Sequence, residues 1–158
     1  MNKVGFKRYA LWVLFCEAVG ALSGFLTRSG MRIYEQSVDK PPLTPPGIVF
    51  PVVWGILFAL MGIGAARVSV QGERSMRRAA LTVFFVQLFF NFFWSIIFFN
   101  FQTFGLAFIW LLLLLALVVL MIVLFARVDK AAALLQLPYL RWVGFALYLN
   151  FGVWRLNG

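Results

Sequence analysis

The sequence has no histidine and a single cysteine, Cys16. Without imidazole there is no Ser-His-Asp triad, no His-based zinc site and no imidazole ligand for haem iron. One cysteine excludes an internal disulfide and any CxxC redox or metal motif. Carboxylates are nearly as scarce: Glu17, Glu35, Asp39, Glu73 and Asp129 are the full set. They are too few and too scattered for a calcium cage or a two-metal centre. Charged residues of both signs make up only 12% of the 158 residues, against about a quarter in a soluble domain.

The remainder is apolar. Hydrophobic residues are 63% of the chain and aromatics 18%, with 19 Phe, and the mean hydropathy is +0.94. A soluble chain this short has too much surface for its volume to hide that many apolar groups, so the composition predicts a membrane protein. The length suits one domain over residues 1–158. The formal charge of +9 does not indicate nucleic acid, because the basic residues flank apolar runs and build no hydrophilic domain. They are better explained as a topology signal and an attraction to anionic lipid.

The charges divide the chain into five apolar stretches, at about 9–27, 48–68, 80–99, 105–126 and 133–154, each near the ~20 residues that cross a bilayer. The expected fold is an all-α five-helix transmembrane bundle with a long Pro-rich first loop. Lys3, Lys7 and Arg8 before an apolar core, with Ala18-Val19-Gly20 after it, also have the order of a signal peptide; Glu17 within the core argues against cleavage. With a cytoplasmic N-terminus, nine basic residues lie inside (Lys3, Lys7, Arg8, Arg67, Arg74, Arg77, Arg78, Arg127, Lys130) and four outside (Arg28, Arg32, Lys40, Arg155). The positive-inside rule then places the C-terminus on the extracytoplasmic side. Arg141 falls inside the fifth span, one turn in, where its long stem reaches the headgroups.

The connection from Ser29 to Gly47 is long, and it contains Pro41, Pro42, Pro45 and Pro46. Proline fixes φ and restricts its predecessor, so a stiff, extended segment over the bundle mouth is expected, either a lid or a plain spacer. Polar groups inside lipid also need a reason. Gln87, Asn91 and Ser95 recur every fourth residue of the third span beside Trp94, and Tyr139, Trp142, Ala146 and Asn150 share a face of the fifth, with Trp154 beyond. They are either interhelical hydrogen bonds or the wall of a pocket for a large, flat, mostly apolar molecule. Trp54 is placed near the same end. Trp12 and Trp110 are expected at the lipid interface. Glu17 is expected to be either a proton-coupled site or a neutral partner of Gln87 or Asn91. Gly20 and Gly24 form a GxxxG pair for close helix packing, within the bundle or between copies. Pro138 frees the carbonyl of Leu134 and kinks the fifth helix unless it lies at its start.

Three separated motifs carry a family resemblance across the whole chain. Lys40-Pro41-Pro42-Leu43-Thr44-Pro45-Pro46-Gly47, followed by Val53-Trp54, resembles the loop and second-helix signature of the TspO/MBR family, the tryptophan-rich sensory or translocator proteins. Gln87 to Ser95 resembles its third-helix motif, and Leu137 to Trp142 with Phe145-Ala146, Leu149-Asn150 and Trp154 to Asn157 its fifth. The resemblance implies a homodimeric five-helix protein that binds protoporphyrin IX or a related tetrapyrrole beneath the first loop. It implies ligand contacts at Tyr34, Trp54, Asn91, Trp94, Trp142, Ala146 and Asn150; Gln87 and Tyr139 join them from the face pattern. It further implies light-dependent porphyrin degradation in some bacterial members, with Trp54 and Trp142 as the candidate photo-oxidised indoles and no conventional acid–base pair. Leu43 stands where many relatives carry Trp, and Tyr148 lies seven residues before Arg155, outside the spacing of the sterol pattern, which argues against cholesterol. Two other classes remain open: a structural or regulatory subunit for a membrane partner, and a small proton-coupled transporter using Glu17.

Overall fold

The computed structural model describes residues 3–158, all helical apart from short connections. Seven α-helices follow in order: α1 (Phe6–Leu26), α2 (Arg28–Ser37), α3 (Val49–Val68), α4 (Arg74–Ser95), α5 (Phe104–Val128), α6 (Lys130–Leu134) and α7 (Leu137–Asn157), with a π-helical turn, Ile96–Asn100, continuing α4. Five segments are long and apolar enough to cross a membrane: α1, α3, α4 with its π turn, α5, and α6 together with α7. The chain is a multi-pass membrane protein. Many large apolar side chains face outward, among them Phe6, Leu11, Phe25, Ile56 and Leu106, as lipid solvent permits.

Small residues bring the helices together. A Cβ at Gly62 of α3 would lie 2.5 Å from the Cα of Val13, so the α1 and α3 backbones touch there. Gly20 sits against the ring of Phe58 in α3, whereas a Cβ at Gly24 would meet nothing; the GxxxG pair is therefore half packing surface and half open space. At one end of the bundle, hereafter the basic end, Arg67 Nε donates to Asp129 Oδ2 at 2.7 Å and Arg67 Nη1 to the Tyr9 hydroxyl at 3.3 Å. Asp129 also caps α6 by accepting from the amide of Ala131 at 3.1 Å.

The structure adds detail to several expectations. The first connection opens with a helix, α2, over Arg28–Ser37, and residues 38–48, which hold the four prolines, are non-helical. Met31 and Tyr34 fall on one helical face and turn inward, and Val38 just beyond the helix follows them; Tyr34 and Val38 are buried. Trp12 and Trp110 are half-buried at the bundle surface: Trp12 lies edge-on to Phe84 at 5.9 Å, and Trp110 stacks on Phe90 at 4.4 Å while its indole donates to the Phe90 carbonyl at 2.7 Å. Gln87 and Asn91 are hydrogen-bonded to Tyr139 and not to Glu17. Pro138 stands in the first turn of α7, where its missing N–H has no partner to lose, so the Leu135–Gln136 break, and no kink, precedes the helix. Buried Gln136 ties that break to α3 by donating to the Leu60 carbonyl at 3.0 Å.

Candidate ligand chamber

At the end remote from the Arg67–Asp129 pair, α2 and residues 38–48 cross the bundle. This segment is fastened to α7 as a strap. The Asp39 amide donates to Asn157 Oδ1 at 3.0 Å, and Asn157 Nδ2 returns a bond to the Asp39 carbonyl at 2.8 Å. The Tyr148 hydroxyl donates to the Pro42 carbonyl at 2.7 Å. Pro41 is buried on α7 at Gly152, where a Cβ would lie 2.5 Å from its ring. Thr44 Oγ1 donates to the Pro41 carbonyl at 2.7 Å, closing a turn that holds Leu43 at φ +70, a left-handed conformation disfavoured for a side chain of its size. Leu43 is 80% exposed, so it walls no cavity; the missing aromatic at this position is a change on the outer surface.

Beneath the strap lies a cavity of about 470 Å³. From α1 it takes Ser23, Gly24 and Thr27, and from α2 Arg28, Met31 and Glu35; Gly47 and Ile48 close the strap side. α3 contributes Phe50, Pro51, Trp54 and Phe58, and α4 with the π turn contributes Asn91, Trp94, Ser95 and Phe99. The walls are thus mainly apolar and aromatic, with one cation and one anion at the rim. Arg28 lies over the Phe25 ring at 4.0 Å and donates through Nη1 to the Phe25 carbonyl at 2.8 Å.

The π turn matters to this wall. One extra residue per turn rotates the chain so that consecutive Phe98 and Phe99 are both buried. Phe99 reaches the chamber, while Phe98 stacks on Trp94 at 5.2 Å. Both rings pack on Tyr34, at 5.7 and 5.3 Å. Burial, aided by neighbouring Glu35, pushes the Tyr34 phenol up to about 12, so it is neutral at physiological pH. Lys40 Nζ sits 4.8 Å from its ring centroid.

The residues singled out from sequence divide into three groups. Trp54, Asn91 and Trp94 line the chamber. Tyr34, Trp142, Ala146 and Asn150 line a much tighter void of about 20 Å³ behind it, which Trp54 and Trp94 also touch. Gln87 and Tyr139 are wholly buried and line neither. Tyr139 donates to Gln87 Oε1 at 2.6 Å and accepts from Asn91 Nδ2 at 2.7 Å. Trp94 Nε1 donates to Asn150 Oδ1 at 3.0 Å, and Asn150 Nδ2 to the Phe104 carbonyl at 2.9 Å. The amide-bearing faces of α4 and α7 therefore bond to each other. Phe50, Trp54, Trp94 and Phe99 border both spaces; Trp54 lies edge-on to Trp142 at 6.5 Å and to Tyr139 at 6.2 Å. Pro41, Pro42, Pro45 and Pro46 line neither space; they shape the strap. Sequence reasoning missed the contribution of α1 and α2. Ser23, Gly24 and Thr27 occupy one face of α1, a weak signal in a helix read as packing surface.

The match to known proteins is as extensive as the fold. A family model described as "TspO/MBR family" matches residues 12–155. The chain belongs to the TspO/MBR family. Among its relatives, the tryptophan-rich protein TspO of Chlorobaculum tepidum is 39% identical over 149 residues, covering 94% of each chain. Protein CrtK of Rhodobacter capsulatus is 36% identical over 150 residues, 94% of this chain and 92% of the relative. The human translocator protein is 35% identical over 137 residues, 85% of this chain and 80% of the relative. Among the described residues no cluster of three or more His, Cys, Asp or Glu side chains could hold a metal ion.

Proposed function

We propose that this protein binds protoporphyrin IX or a related tetrapyrrole in the chamber under the strap and serves a sensory or translocator role in the membrane. The observation that carries this is the chamber: about 470 Å³, within the ~300–1,000 Å³ usual for ligand pockets, with aromatic walls for a flat macrocycle. Arg28 at its rim suits an acidic edge such as a propionate. The relatives named for tryptophan-rich, sensory and translocator properties support the same class. Trp54, Asn91 and Trp94 are the direct contacts. Tyr34, Trp142, Ala146 and Asn150 back them and become contacts where the tight void opens; Gln87 and Tyr139 hold the α4–α7 wall. In the bilayer the N-terminus is cytoplasmic and the chamber lies at the extracytoplasmic end, as the positive-inside rule implies.

The test is a dark titration of detergent-solubilised protein with protoporphyrin IX, followed by tryptophan fluorescence. Saturable quenching at low micromolar ligand, about −8 kcal/mol, is expected. Trp54→Ala should weaken binding roughly tenfold, about 1.4 kcal/mol, and Trp142→Phe less, because Trp142 stands behind the chamber wall. Linear quenching indifferent to both substitutions would mean partitioning into the micelle and would remove the porphyrin reading. Illuminating a saturated complex then decides whether the ligand is held or also degraded.

A further inference from the structure

Two charged side chains stand in the wall of the chamber, and both come from α2. Arg28, Met31 and Glu35 occupy positions i, i+3 and i+7, so one stripe of that helix faces the cavity. Seven residues at 1.5 Å each put the cation and the anion about 10 Å apart along the helix. They do not neutralise each other: the ion pair among the described residues is Arg67–Asp129, at the opposite end of the bundle.

Each charge is held by its surroundings. Arg28 spends one donor on the Phe25 carbonyl and rests its guanidinium on the Phe25 ring, which leaves the other N–H groups of its fork for a ligand. Glu35 reaches the start of α3, where a Cβ at Gly47 would fall on its Oε1. A residue with a side chain at position 47 would close that seat. α3 has neither a capping side chain nor an acid in its own first turn, so its unpaired amides favour a carboxylate brought from α2. The nearby cations form no ion pair with it. Lys40 Nζ donates to the main-chain carbonyls of Glu35 and Val38, at 3.2 and 2.9 Å, and exposed Arg32 lines no part of the chamber.

A diacid entering under the strap therefore meets one favourable and one unfavourable charge. Arg28 attracts an acidic group at one edge, while Glu35 repels a second acid and accepts a hydrogen bond from a neutral donor. We propose that Glu35 is a specificity-determining residue of the chamber, selecting a flat ligand with a single free acid over one with two. This selectivity, which rests on the tetrapyrrole reading above, narrows the ligand to monoacidic members of that class.

The test titrates full-length protein in detergent, in the dark, with protoporphyrin IX, its monomethyl ester and its dimethyl ester, read by tryptophan quenching. Wild type should bind the monomethyl ester about fivefold more tightly than the diacid. Glu35→Gln should remove that difference by tightening the diacid, with the dimethyl ester unmoved. Gly47→Ala, which displaces the carboxylate but keeps its charge, should narrow the difference in the same direction. Arg28→Gln should weaken the monoester and the diacid and spare the dimethyl ester. Arg32→Gln removes a charge from the same helix away from the chamber and should leave the order intact; circular dichroism and a monodisperse elution profile check folding of each variant. Equal affinities of monoester and diacid in wild type would overturn the selectivity. So would a Glu35→Gln variant that shifts all three ligands alike, since Glu35 would then only support α3, or an Arg32→Gln shift as large as that of Glu35→Gln, which would reduce the effect to a diffuse field. Saturable binding that ignores ligand charge sinks the selectivity alone, whereas no saturable binding of any of the three removes the porphyrin reading with it.

Discussion

At the scale of single residues, the polar side chains inside the hydrocarbon are used in pairs. Tyr139 is the centre of one group, its hydroxyl bridging Gln87 and Asn91 between α7 and α4. Asn150 is the centre of the other, joining Trp94 to the Phe104 carbonyl. Tyr139→Phe should leave Gln87 Oε1 and Asn91 Nδ2 without their partner and lower stability by about 1–2 kcal/mol, seen as a lower thermal midpoint in detergent. Adding Gln87→Leu should recover part of that loss, since an apolar pair needs no partner. Full stability in Tyr139→Phe alone would mean that water replaces the hydroxyl. The spacing of Gln87, Asn91 and Ser95 showed that α4 has a polar face; it did not distinguish a pocket wall from an interhelical seam. Asn91 serves both, because its Nδ2 meets Tyr139 and its side chain borders the chamber.

Among the elements, the long spans were legible because apolar length is a local property of the chain. The irregular pieces were not. α2 carries its inward residues at 30, 31 and 34, but a helix of ten residues is marginal without a partner surface, and the surface that holds it, the π turn with Phe98 and Phe99, comes from sixty residues further on. The π turn has no sequence signature of its own. Packing of α1 on α3 rests on the bare backbone at Gly62. Gly62→Ala should push the helices apart and destabilise by about 1–3 kcal/mol. Gly55→Ala in the same helix, where an added Cβ meets nothing within 4 Å, should be neutral or slightly stabilising. The pair of thermal midpoints separates close packing from helix propensity; equal shifts would deny the α1–α3 contact its role.

For the molecule as a whole, the strap ties the segment between α1 and α3 to α7. Asn157, one residue from the C-terminus, holds Asp39 by two hydrogen bonds, and Tyr148 holds Pro42, so α7 positions the roof of a chamber whose walls come mostly from α1 to α4. Asn157→Ala with Tyr148→Phe removes three bonds and should loosen that roof and speed ligand release by about fivefold for each bond, at about 1 kcal/mol per bond; stopped-flow dissociation of bound porphyrin measures it. An unchanged release rate would mean that the ligand leaves sideways between helices. Composition and the five apolar runs were enough to specify a membrane-spanning helical bundle, because burial in lipid depends on the summed character of some twenty neighbouring residues. The proline pattern with the motifs around Trp54, Asn91 and Trp142 was enough to specify the family. Which of those residues border open space was decided by the tertiary structure. A cavity is a volume left between helices distant in sequence, and here α1, the seat of α2 and one extra residue in the π turn put Ser23, Arg28 and Phe99 around it, with Tyr139 and Gln87 packed behind.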